Sequence, residues 1–78
     1  MARISILDFE KRNSERIKLQ ETVKSTFCSF YDGEKKYFQI DTYGSENRKN
    51  YGQPSQKIQF DKEMAIELIK IIKEEFNI

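Results

Sequence analysis

The run STFCSFYDGEKKYFQIDTY, residues 25–43, decides how this chain folds. At its centre, Asp32-Gly33 stands between two alternating runs. Such a pair favours a tight hairpin, because glycine takes a positive φ without steric penalty. A two-residue loop would pair residues whose numbers sum to 65, and a four-residue loop residues whose numbers sum to 67. Either way odd positions of one strand face even positions of the other. One face then gathers Val23, Phe27, Phe38 and Ile40, an apolar set that belongs to the core. The other gathers Lys24, Cys28, Phe30, Tyr37, Gln39, Asp41 and Tyr43, a mixture of rings, charges and amides.

Upstream, the odd parity persists: Ile17, Leu19, Val23, Phe27 and Tyr31 share one phase, with Glu21, Ser25 and Ser29 interrupting it. This predicts one long strand over 15–31, or two collinear strands with a break near Gln20–Glu21. Earlier still, Ile4 and Ile6 alternate with polar residues before the parity shifts to Leu7 and Phe9, which marks a bulge or a strand end. A first strand near 2–10 is expected, closed by the turn-forming KRNS at 11–14.

Downstream, the third strand (34–43) runs into a loop from Gly44 to Pro54, and SQKIQF at 55–60 reads as a short fourth strand. Ile58 and Phe60 face in; Lys57 and Gln59 face out. Asp61 is a good N-cap for a helix near 62–76. Ala65, Leu68, Ile69, Ile72 and Phe76 form its central stripe, widened by Met64 and Ile71 on one flank and Ile66 on the other. That is more apolar arc than one sheet face needs. The helix is either deeply seated or touches both the sheet and a partner. The expected fold is one α+β domain: a curved, four-stranded antiparallel sheet followed by a C-terminal helix.

With 78 residues, the chain has room for a modest core, so a tight sheet-and-helix packing or an oligomer is expected. Charged residues make up 35%, but aromatics at 13% are too many and too regularly placed for a disordered chain. The net charge of +1 announces no polyanion partner. Its distribution says more: residues 1–60 carry 11 Lys/Arg against 8 Asp/Glu, residues 61–78 carry 3 against 5. No apolar run suits a signal peptide or a membrane span. A single cysteine fits a reducing compartment, and a cytoplasmic location is expected.

Catalytic chemistry is poorly served. There is no histidine. Cys28, mid-strand and without a base, reads as a buried structural thiol. Gly33, Gly44 and Gly52 form no phosphate-cradling pattern. No catalytic residue, metal site or cofactor is expected, and the protein reads as a non-enzyme.

The mixed face suits single-stranded nucleic acid, which is held by bases stacking on rings and cations tracking phosphates. The candidate residues are Phe30, Tyr37 and Tyr43 with Lys24, Lys35 and Gln39. Arg48, Lys49 and Tyr51 in the following loop and Lys57 on the last strand extend the track. Ordinary sheet composition is the competing explanation, since cross-strand aromatic pairs stabilise sheets and lysines discourage edge aggregation. Asp41 on the same face counts against a polyanion.

YFQIDTYGSENRKN (37–50) and GQPSQKIQFDKEMAIELIKII (52–72) resemble the positive cofactor 4 family of transcriptional coactivators and their small bacterial relatives. The first is similar to that family's third strand, ending in an aromatic and a polar, basic loop. The second is similar to its loop, short amphipathic fourth strand and long C-terminal helix. The resemblance implies a homodimer built on that helix, with Met64, Ile66, Ile69 and Ile71 at the contact. It implies binding of single-stranded or unpaired DNA without strict sequence preference. Lys57, Arg48 and Lys49 would contact phosphates, and Tyr37 and Tyr43 would supply stacking. The chain departs from the family where Gln53, Gln56 and Gln59 stand around the fourth strand in place of denser basic residues.

The expected role is thus a single-stranded DNA binder, with RNA as the other strand type, in transcription, replication or repair. The rival role is a small protein-interaction module: an inhibitor or accessory subunit of a larger nucleic-acid or defence enzyme, in a phage-related setting. Near-neutral charge, abundant Glu and Gln, and the helix's broad apolar flanks suit that rival.

Overall fold

The structure, a computed structural model, describes residues 1–44 and 53–78. Its centre is the expected hairpin. Strand β2 (Ser25–Asp32) pairs antiparallel with β3 (Lys35–Tyr43) in the register that sums to 67, from Asp32 opposite Lys35 to Ser25 opposite Thr42. Gly33, at φ +66, lies in the left-handed region, where a side chain would be strained. β3 pairs antiparallel with β4 (Pro54–Asp61), placing Phe38 opposite Phe60 and Ile40 opposite Ile58. The register slips at Thr42/Tyr43. There the Ser55 hydroxyl donates to the Thr42 carbonyl at 3.1 Å, giving the disturbed ladder an alternative partner.

The sheet is mixed and open, which corrects the purely antiparallel expectation. Strand β1 (Ala2–Arg3) lies parallel to β4, with Ala2 opposite Ile58 and Arg3 opposite Gln59, giving the order β1-β4-β3-β2. β2, β3 and β4 follow one another through direct reversals and so alternate in sense. β1 is separated from β2 by a long connection and occupies the free edge of β4, where either sense can be reached.

Two predicted strands are much shorter than their patterns. The first stops at Arg3 and continues into a single 3-10 turn at Ile6–Asp8, where the Ser5 hydroxyl accepts from the Leu7 amide. The change of parity at Leu7 and Phe9 marks this departure. In the second, residues 15–24 lie outside the sheet. The last ladder bond runs from the Tyr43 amide to the Lys24 carbonyl, 2.9 Å. Among the described residues none pairs with the backbone of 15–23, and a strand pattern without a neighbour does not form a strand.

Helix α1 (Lys62–Phe76) spans the range read from the sequence. The Asp61 carboxylate accepts from the Met64 amide at 2.9 Å, capping the first turn. Asn77, in the left-handed conformation, ends the helix with its amide on the Lys73 carbonyl.

Phe60 and Met64 are the two buried apolar side chains among the described residues. Beside them Phe27, Phe38 and Phe60 form a row across three strands, with centroids 5.5 and 5.4 Å apart. This is the apolar face of the sheet, and α1 covers it only in part. Between helix and sheet lies a cleft lined by Phe38, Ile40, Phe60, Leu68, Ile69 and Ile72.

Candidate nucleic-acid interface

The opposite face is built by the same hairpin register. Phe30 and Tyr37 are cross-strand partners and stack, centroids 5.6 Å apart with 24° between the rings. Next to them Cys28, Gln39 and Gln59 form a row, and next again Thr26, Asp41 and Lys57. Tyr43 closes the face near Lys24.

A continuous polar belt crosses these rows. Gln59 Nε2 donates to Gln39 Oε1 and Gln39 Nε2 donates to Asp41 Oδ1, both at 2.8 Å. The Thr26 hydroxyl donates to Asp41 Oδ2 at 3.5 Å and lies 3.2 Å from the Tyr43 hydroxyl. These bonds explain how Asp41 stays buried, at 8% exposure, on an otherwise wet face. They also fix the side chains between the two aromatic stations, limiting the rotamer entropy a ligand would have to remove.

The cations sit at the ends of the belt. Arg3 lies 5.8 Å from the centre of the Tyr37 ring and Lys24 Nζ 5.2 Å from that of Tyr43, within range of cation–π attraction. Lys35 is 3.9 Å from the Asp61 carboxylate, so part of its charge is already answered.

Of the residues singled out from the sequence, Lys24, Phe30, Lys35, Tyr37, Gln39, Tyr43 and Lys57 come together on this side of the sheet. Arg48, Lys49 and Tyr51 lie outside the described residues. The sequence reading missed Arg3. Its signal was present, because Arg3 is out of phase with Ile4, but only the pairing of β1 with β4 brings it to this face. Cys28 is exposed rather than buried, because it sits on an edge strand whose outward face nothing covers. Among the residues expected at a helix-borne dimer contact, Met64 is at 0% exposure, packed inside its own chain, and has no surface left for a partner. Ile66 and Ile69 are exposed and Ile71 is half-buried.

No family model, curated protein or solved structure matches the chain. No group of three or more His, Cys, Asp or Glu side chains gathers as a metal site among the described residues, and none of their helices is long and apolar enough to cross a membrane.

Proposed function

We propose that this protein binds single-stranded nucleic acid, without catalysis, across the face of β2, β3 and β4 that carries the tyrosines. The observation behind this reading is the meeting of Phe30, Tyr37 and Tyr43 with Arg3 and Lys24 along one satisfied polar belt. Rings take bases with little regard to sequence, and the flanking cations take phosphates. The resemblance to positive cofactor 4 proteins supports the same reading and favours DNA, in transcription, replication or repair.

The test is fluorescence anisotropy of a labelled single-stranded oligonucleotide, with duplex of the same sequence as the control. Three phosphates neutralised by Arg3, Lys24 and Lys57 would weaken binding roughly 20-fold between about 50 and 200 mM salt. Tyr37→Ala with Tyr43→Ala should lower affinity by about 1–3 kcal/mol per base that loses its stack, with the fold intact by circular dichroism. Unchanged affinity in that double variant would remove this face from consideration.

A second reading, a protein-interaction module, is favoured by a different feature. The cleft beside α1 is lined by apolar side chains of helix and sheet, and Ile69 at its mouth is 58% exposed. In that reading the cleft and the outer flank of the helix seat a larger protein. Binding of the oligonucleotide that survives Ile66→Lys with Ile69→Lys separates this function from the first.

A further inference from the structure

Residues 17–24, IKLQETVK, have the composition and alternation of a strand, yet they stand outside the sheet. They are also directly continuous with β2, which is an edge strand: the sheet order leaves its outer side without a neighbour among the described residues. Arg16, at φ +61, and the Asn13 side chain that accepts from the Glu15 amide form the turn at which this arm begins. From there to Ser25 the chain contains no Gly, Pro, Asn, Asp or Ser. The arm therefore has no turn with which to fold back onto the β2 of its own chain. Among the described residues no strand lies alongside it, and its outer side continues the open edge of β2.

We infer that a second copy of this chain supplies the neighbour, and that the two copies pair edge to edge, antiparallel, about a two-fold axis at Ser25. In that register the arm of each copy lies along the β2 of the other. Because residue numbers of paired positions then sum to an even value, odd residues face odd residues and the apolar parity is kept on one face. Val23 comes opposite Phe27 of the second copy and Leu19 opposite its Tyr31. All four side chains are exposed in the single chain, Phe27 at 74% and Leu19 at 93%. Lys18 comes opposite Asp32 of the second copy, and no pair in the ladder sets like charges against each other.

The exposed surface agrees with a missing partner. The chain exposes 7360 Å², whereas a compact monomer of 9.4 kDa exposes roughly 5,000 Å². Its radius of gyration is 14.7 Å, against roughly 11.5 Å for a compact domain of this length. The excess is larger than the ~800 Å² that each partner contributes to a standard interface. The edge pairing joins the two sheets and leaves the helix cleft open, so the second copy sits at β2 and not on the flank of α1. It stands apart from the nucleic-acid reading, and neither depends on the other.

The register predicts a specific covalent link. Thr22 of one copy faces Cys28 of the other. Cross-strand Cα separations of about 4.5–5.5 Å fall within the range a disulfide spans, about 4.4–6.8 Å. Sedimentation equilibrium should find wild-type dimers. Thr22→Cys, oxidised with diamide, should run as a covalent dimer on a non-reducing gel, and adding Cys28→Ser should abolish the link. Leu19→Lys with Val23→Lys, at positions accessible in the single chain, should yield folded monomers by circular dichroism and sedimentation. A wild-type monomer would overturn the proposal. So would a dimer that persists in the double lysine variant, or one in which Thr22→Cys does not link to Cys28; these outcomes would assign the contact elsewhere, such as the helix flank.

Discussion

The two faces of the sheet solve the same problem to different degrees. On the tyrosine face every buried side-chain polar atom of the described residues has its partner, and the belt from Gln59 to Tyr43 holds Asp41 without help from outside. On the helix face the apolar row is built but only one end of it is closed, at Phe60 and Met64, while Phe27 at the other end stands in water. Polar groups can be satisfied by a neighbour two strands away. Apolar surface needs bulk above it, and one 15-residue helix supplies too little for three strands.

The sharpest way to break this comparison is Met64→Ala. Met64 is the one fully buried large side chain among the described residues, and removing it from the closed end should cost about 2–5 kcal/mol, read as a shift of the urea midpoint. A loss below about 1 kcal/mol would mean the helix is not anchored there. Asp41→Ala probes the opposite face. It leaves the Gln39 amide and the Thr26 hydroxyl without their acceptor at a site water can reach, and about 1–2 kcal/mol is expected. A loss equal to that of Met64→Ala would erase the distinction between the faces. Asp61→Ala removes the N-cap and should cost about 1 kcal/mol, with helix content falling by circular dichroism. Lys11→Ala breaks the exposed 3.3 Å pair with Glu75 and should change stability by no more than about 0.5 kcal/mol.

The helix and the hairpin were legible because their signals are local. Asp61 followed by a 3.6-residue apolar period, and Asp32-Gly33 between alternating runs, each determine structure within a few residues. That same alternation sorted Phe27, Phe38 and Ile40 from Phe30, Tyr37 and Tyr43. What the pattern could not supply was the neighbour. Residues 15–24 alternate as well as 25–31 do, but β3 reaches only as far as Tyr43, and alternation says nothing about where a ladder ends. Ile4 and Ile6 misled for a related reason: two matching positions outweighed the phase change at Leu7. The parallel sense of β1 and the arrival of Arg3 beside Tyr37 depend on chain segments far apart in sequence, which local periodicity does not encode.

The pairing of Ala2 and Arg3 with Ile58 and Gln59 also fixes a sequence of events during synthesis. Ala2 and Arg3 leave the ribosome before β4 and have no partner until it is made, and at about 5–20 residues per second that wait lasts on the order of seconds. The β2–β3 hairpin can close meanwhile, so the sheet is expected to grow outward from it, with the N-terminal strand added last.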